Sequence, residues 1–287
     1  MKEKNFQYRL ETFLIVLHII AGLCLMLYPT ISNILKNLVF QNDIEYYTSA
    51  VAELNENEYA EYLTAAQLHN EDLAVRGPLA KLTDEEYADY EKLLTIPGSD
   101  VMAYVVIEKI NVSLPIYHGT SEDVLQNGIG HLEGTSLPIG GESTHSVISG
   151  HRGMPSATLF TNLDRLVIGD TFHIQVLNET LTYEVDQITS VKPNDWSQLQ
   201  IIKGMDYCTL LTCTPYAVNT HRLLVRGHRI ETTQEKLQTK VRWYQAAADQ
   251  NWKLILLITF SGVLILAIIT IIIVSLIRRH LRKKHHN

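Results

Sequence analysis

Apolar residues concentrate in two uninterrupted runs, one near each end of the chain. Residues 254–277 contain 24 positions without a charge, and Thr12–Tyr28 contains 17 with a lone His18. About 20 consecutive apolar residues span a bilayer, whereas a globular helix of that length usually carries a polar face. The pattern therefore predicts two transmembrane helices, over residues 12–31 and 254–277.

Basic residues flank both runs and indicate their orientation. Three bases lie in residues 1–11 and five in residues 278–287. Because positive flanks stay in the cytoplasm, both termini are expected inside, with the intervening chain on the extracytoplasmic face of the cell membrane. The first run could instead be a cleaved signal peptide. Residues 26–32 offer no small-residue cleavage pattern, which favours a retained anchor.

Residues 36–100 show the spacing of helices and form an exported helical, lid-like region. Apolar side chains recur every three to four positions over 43–70, which predicts one helix there. A second helix begins at Thr83, forms a capping box with Glu86, and is expected to end near Pro97.

Residues 101–232 change to short β-type runs separated by glycines. The candidate strands are Met102–Ile107, Ser113–Tyr117, Ser146–Ser149, Thr171–Val176, Leu181–Ile188, Tyr207–Thr212 and Leu223–Ile230. Seven or eight short strands with few long helices indicate a mainly β domain, a small barrel or sandwich. Residues 233–252 then form a juxtamembrane segment before the second apolar run.

Charge and cysteine content narrow the class of protein. The net charge is −7, and residues 29–252 hold 15 of the 24 basic and 29 of the 31 acidic residues, a net −14. So acidic a region is a poor nucleic-acid binder, and no such partner is expected. Three cysteines are too few for a disulfide framework. The sequence has no glycine-rich phosphate loop and no paired-cysteine motif, so no metal and no cofactor are predicted.

Cys213 is the candidate nucleophile. It lies five residues after Cys208, so the two side chains point to opposite faces of one straight strand and cannot form a disulfide there. Cys208 is interpreted as a buried small residue. Cys213 ends the strand just before Thr214-Pro215 turns the chain, and a thiol beside a loop is well placed to act as a nucleophile.

A nucleophilic thiol needs a base or a cation nearby, and two residues are candidates. His151 lies in a glycine-flanked loop directly after a predicted strand, whereas His221 and His228 are weaker rivals. Arg222 begins the last predicted strand, where its guanidinium could hold a thiolate or stabilise an oxyanion. No carboxylate is tied to His151 by the sequence, so a Cys–His–Asp triad is not required.

Several short segments share their residues with one known family. Residues 209–213 read Thr-Leu-Leu-Thr-Cys, which is similar to the TLxTC signature of sortases. The other segments are 118–121 (HGTS), 130–138 (GHLEGTSLP), 149–153 (SGHRG) and 219–227 (NTHRLLVRG). Over roughly residues 100–231 the chain resembles the class C, pilin-polymerising branch of that family.

The resemblance implies an eight-stranded sortase-type β-barrel with short helices, preceded by N-terminal helices and flanked by two transmembrane helices. It implies that His151, Cys213 and Arg222 are catalytic, and that Leu211 and Thr212 bind substrate. Such an enzyme cleaves an LPxTG-type sorting signal between Thr and Gly, keeps the acyl group as a thioester, and transfers it to a pilin lysine amine. The implied partners are pilin subunits or other proteins that bear LPxTG-type signals.

The sequence departs from the class C pattern in one respect. Class C enzymes usually carry a lid anchored by an Asp-Pro-aromatic triplet, and residues 64–100 contain none; Gly77-Pro78-Leu79 lies in about that place without the acid or the aromatic. Autoinhibition by a lid is therefore not expected.

The same nucleophile site would also suit a sortase that attaches proteins to peptidoglycan, or a hydrolytic protease. A non-enzymatic, membrane-held scaffold is the third possibility.

Overall fold

The computed structural model describes residues 2–77 and 82–231, together with residues 261, 262 and 275. Two compact units are present: the first runs through Ile34, and the second begins at Leu35. Apart from the three isolated positions, the predicted span over 254–277 and the segments 233–252 and 278–287 lie outside the described residues.

The first helix, α1, covers Lys2–Ala52 and contains the first predicted span. Its large apolar side chains between residues 13 and 31 point outward, with Leu25 and Met26 77% and 76% exposed. Among the described residues, α1 is the one helix long and apolar enough to cross a membrane. Outward-facing apolar side chains suit a helix that contacts lipid. The helix continues through residues 32–42, so the span and the helix predicted after it are one element.

The last turns of α1 pack against the domain formed by the strands of residues 101–230, the β-domain. Phe40, Ile44, Tyr47 and Val51 are all buried in the main hydrophobic core. The Tyr47 hydroxyl donates to the Met102 carbonyl at 3.0 Å and accepts from the Leu177 N–H at 2.7 Å. Both hydrogen-bonding roles of this buried hydroxyl are therefore satisfied, which fixes the helix to two separate segments of the domain.

Two further helices follow, and the structure corrects the predicted boundaries. The single helix expected over 43–70 is interrupted after Ala52. The second helix, α2, covers Glu56–Arg76, because the Asn55 side chain caps it and forms a capping box with Glu58. The third helix, α3, covers Asp84–Tyr90 and begins with the predicted Thr83–Glu86 capping box.

The end predicted for α3 near Pro97 is wrong. The helix stops at Tyr90, and a short turn follows in which Leu94 adopts a left-handed conformation with φ 58°. Leu94 is buried in the core, so tertiary packing overrides the helical spacing of the apolar residues here.

Eight strands form a closed barrel, which confirms the predicted fold class. The strands are β1 Val101–Ile107, β2 Val112–His118, β3 Ile129–His131, β4 Thr144–Gly150, β5 Thr171–Val176, β6 Glu179–Val191, β7 Asp206–Thr214 and β8 His221–Ile230. Their order around the barrel is β1-β2-β3-β4-β7-β8-β6-β5. A six-residue helix, α4, covers Glu122–Asn127 between β2 and β3.

The sequence pattern gave seven of these strands and missed β3. This strand has three residues, one of them Gly130, and pairs parallel to β2 and antiparallel to β4. So short a run carries no readable alternation of apolar and polar positions. Gly130 is required by close packing, because a Cβ at this position would lie 1.9 Å from the Gly119 carbonyl oxygen.

Candidate active site

Strand register brings the three predicted catalytic residues to one end of the barrel. The antiparallel pair β7–β8 places Cys213 directly opposite Arg222. The parallel pair β4–β7 places Ser149 opposite Leu211, so the chain leaving β4 reaches His151 at the same end as Cys213. The pairing explains how residues 62 positions apart in sequence can share a site, which is the arrangement that nucleophilic catalysis requires.

The two barrel cysteines differ in environment as the strand alternation predicts. Cys208 is completely buried, and burial raises its thiol pKa well above the ordinary value. This thiol stays protonated and inert at neutral pH. Cys213 is partly exposed near the end of β7, which extends two residues beyond the predicted Tyr207–Thr212 strand, to Thr214. Cys213 is the accessible thiol of the barrel.

A carboxylate that the sequence did not reveal lies beside His151. The Glu122 carboxylate is 3.6 Å from His151 Nε2, which is close enough for an ion pair with a protonated ring but too long for a good hydrogen bond. Glu122 begins α4, whose N-cap is Ser121, and its carboxylate accepts from the Gln126 side chain at 2.9 Å. The Ser-Glu-Asp sequence signals a helix start, but only the fold shows that this start faces His151.

Arg222 is held at the mouth of the site by the loop before β8. Its Nη1 donates to the carbonyl oxygens of Asn219 at 3.3 Å and His221 at 3.2 Å. A guanidinium has five N–H donors in a fixed plane, so these contacts orient the group while further donors stay available to a ligand.

An apolar groove of about 210 Å³ has Arg222 in its lining. Its apolar lining includes Leu125, Leu132, Val191, Leu199, Leu211 and Leu224. Pro193 and Trp196, from the loop between β6 and β7, form part of the wall. A mostly apolar cleft with Arg222 and Lys192 in its lining suits an extended peptide whose reacting carbonyl lies near the Arg222 guanidinium.

The two residues predicted to bind substrate lie in different environments. Leu211 lines the groove. Thr212 is 1% exposed, and its hydroxyl donates to the Gly150 carbonyl at 2.7 Å, which ties the end of β4 to β7. Thr212 thus lies in the strand framework that brings His151 and Cys213 to the same end of the barrel.

His145 anchors the end of the β6–β7 loop, which forms part of the groove wall. Its Nδ1–H donates to the Gln200 carbonyl at 3.0 Å, and its Nε2 lies 2.7 Å from the Thr209 hydroxyl. Burial lowers the pKa of His145 to about 4, so the ring is neutral at physiological pH. The neutral ring fastens the end of the β6–β7 loop to the sheet.

Comparisons with known proteins identify the family. The sequence model of the sortase domain matches residues 105–230. The structure is similar to sortase C1 from Streptococcus agalactiae, with a TM-score of 0.64 and 54% identity, covering 66% of this chain and 98% of that one. It is also similar to sortase C-1 from Streptococcus pneumoniae, with a TM-score of 0.61 and 44% identity, covering 67% of this chain and all of that one.

A curated relative matches over a smaller part of its length. Sortase D from Bacillus subtilis is 31% identical over 127 residues, which are 43% of this chain and 61% of the relative. The matched region thus spans about three fifths of that protein. Sortases are cysteine transpeptidases, and the Cys213–Arg222 pairing lies inside the matched domain. The chain belongs to the sortase family, in its class C branch.

Proposed function

We propose that the protein is a membrane-held cysteine transpeptidase that polymerises pilus subunits. The observation that carries the proposal is the register of β7 and β8, which sets Cys213 opposite Arg222 at the barrel end where His151 follows β4. The likeness to class C sortases supports the same conclusion. One of the similar structures is sortase C1 of a group B streptococcal pilus island, which is 42% identical to this chain.

The first half-reaction forms a thioester. Cys213 Sγ attacks the carbonyl carbon of Thr in an LPxTG-type signal, and the bond to the Gly nitrogen breaks. His151 takes the proton of the Cys213 thiol and gives it to the departing amine, and the Arg222 guanidinium stabilises the negative charge on the carbonyl oxygen. The groove holds the residues that precede the scissile bond, with Leu211 in contact with them and Thr212 in support.

The second half-reaction resolves the thioester. His151 accepts a proton from an incoming lysine amine, whose nitrogen attacks the thioester carbon. The carbon–sulfur bond breaks, an isopeptide bond forms, and Cys213 is regenerated. Neither half-reaction involves an electron transfer, so acid–base and nucleophilic groups suffice.

The proposed membrane arrangement has two spans, with the barrel on the extracytoplasmic face and both termini in the cytoplasm. α1 and membership of the family support association with a membrane. The positive flanks of both apolar runs support the orientation.

The test uses the full chain in detergent, with Cys213→Ala as its matched variant. Each protein is incubated with an LPxTG-type peptide, alone, with a lysine-bearing pilin domain, or with a peptidoglycan-type amine, and its intact mass is measured. We expect a thioester adduct that depends on Cys213 and is converted to an amide by the lysine. Transfer only to a peptidoglycan amine would indicate wall attachment, and release only as an acid would indicate a protease. A folded protein that forms no adduct with a panel of sorting peptides would favour the scaffold.

A further inference from the structure

Arg152, the residue after His151, has an unusual environment for a guanidinium. Its side chain is only 8% exposed, although it lies in a loop at the barrel end. Charged side chains are rarely buried to this extent unless they are paired, so the contacts of this one indicate what it does.

The two ends of the guanidinium bind different segments. Nη2 forms an ion pair with the Asp164 carboxylate, and Nη1 donates to the Thr214 hydroxyl at 3.2 Å. The group also lies over the ring of Tyr216, 5.8 Å from its centroid. Asp164 belongs to a short 3-10 turn at Leu163–Arg165, in the same β4–β5 connection as Arg152.

These contacts connect the loop of His151 to the strand end of Cys213. Thr214 is the residue after Cys213, just as Arg152 is the residue after His151. The neighbouring Gly153 packs under Tyr216, because a Cβ added there would lie 3.0 Å from that ring. The backbone of His151 is therefore joined to the backbone of Cys213 through one rigid planar group and a single hydroxyl.

Stability alone does not account for this arrangement. Arg152 Nε is buried and has no hydrogen-bond partner within the part of the chain that the structure describes. An unpaired buried donor costs free energy, and apolar side chains often stabilise such a place better than an ion pair does. The guanidinium contributes fixed hydrogen-bond directions. Its planar fork holds two partners at once, which neither an apolar side chain nor a lysine can do.

We propose that Arg152 is a positioning residue that fixes the His151 imidazole relative to Cys213 Sγ by clamping the β4–β5 loop to the end of β7. The inference rests on the proposed function and deepens it. Arg152 itself touches neither the thiol nor the substrate in this scheme, and it acts through the distance between the two groups that do.

The test compares Arg152→Lys and Thr214→Val with the control Arg165→Lys, all in the full chain in detergent. Arg152→Lys keeps the positive charge beside Asp164 but loses the fork, and Thr214→Val removes the other end of the clamp. We expect kcat for thioester formation to fall by about 10²-fold in each, the penalty typical of a reactive group displaced by about 1 Å. KM should stay within about twofold, since the groove is unaltered. Arg165 is exposed in the same turn, and its variant should match the wild type.

Two further measurements distinguish a positioning role of Arg152 from a purely structural role. The double variant Arg152→Lys/Thr214→Val should be no slower than either single variant, because both break one clamp. The pH profile of Cys213 alkylation by iodoacetamide should shift in the variants and not in the control, and this assay needs no sorting signal. Unfolding temperatures are measured alongside.

The outcomes are distinct. Wild-type kcat and an unshifted alkylation profile in folded Arg152→Lys and Thr214→Val would overturn the proposal. Additive losses in the double variant, or losses that follow the unfolding temperature, would also overturn it by assigning Arg152 a purely structural role. A wild-type protein that forms no thioester defeats the proposed function instead, while a shifted alkylation profile would still support the clamp.

Discussion

Two buried histidines make the domain sensitive to acid. His131 is completely buried, its Nε2–H donates to the Ser136 carbonyl at 2.8 Å, and its Nδ1 lies 2.9 Å from the Tyr90 hydroxyl. Burial lowers the pKa of His131 to about 3, and it lowers that of His145 to about 4. Both rings are therefore neutral in the folded protein at neutral pH.

The size of the effect follows from proton linkage. In the unfolded chain each histidine has a pKa near 6.5, so below that pH the unfolded state binds a proton that the folded state does not. The stability that the two neutral histidines contribute is fully present above about pH 6.5. It falls as the pH drops towards their pKa values in the folded protein. At pH 5, each histidine lowers the free energy of unfolding by about 2 kcal/mol, and the two together lower it by about 4 kcal/mol. That is a large part of a typical stability of about 5–15 kcal/mol.

The assay is urea denaturation of the full chain in detergent at pH 7.5 and pH 5, followed by tryptophan fluorescence. The matched variant is His131→Gln, whose amide can replace both hydrogen bonds but cannot titrate. We expect the wild type to lose about 2 kcal/mol more than this variant between the two pH values. Other titrating groups cancel in the comparison. The same pH dependence in both proteins would refute the argument, and His145→Gln provides an independent repeat.

Three more predictions concern single side chains. Thr212→Val should lower the free energy of unfolding by about 1–3 kcal/mol, because a buried carbonyl loses its donor; a raised KM at unchanged stability would instead show direct substrate contact. Tyr47→Phe should destabilise the domain by a similar amount, measured by urea unfolding, since two buried backbone groups lose one hydroxyl. In a Cys24→Ala background, iodoacetamide should label Cys213 in the native protein and Cys208 only after unfolding, as read by peptide mass; equal native labelling would contradict the burial argument.

The sequence predicted those features of the fold and site that depend on residues close together in the chain. Alternation and glycine placement gave seven of the eight strands, and the capping box at Thr83 gave the start of α3. The proximity of Cys213 and Arg222 also followed, because a short loop between two strands leaves few possible registers. Local signals of these kinds lie within a few residues of the feature they predict.

The rest depends on partners far away in the chain. β3 exists because two neighbouring strands bind it, and α3 ends early because Leu94 is drawn into the core. The burial of Arg152 and the approach of Glu122 to His151 arise from the packing of loops and α4 against the barrel end. No periodicity encodes such contacts, which tertiary structure alone decides.

Closure of the barrel has a consequence for how an extended polypeptide can be recognised. Every strand from β1 to β8 has a hydrogen-bonded neighbour on both sides, so the barrel has no free edge strand. A sorting signal cannot bind by joining the sheet as an additional strand, the mode in which main-chain hydrogen bonds supply affinity for almost any sequence. Discrimination then falls to the side chains of the groove. In the proposed function, selectivity for the sorting signal can therefore change through substitutions at positions such as Leu132 or Trp196, while the barrel that holds the nucleophile stays the same.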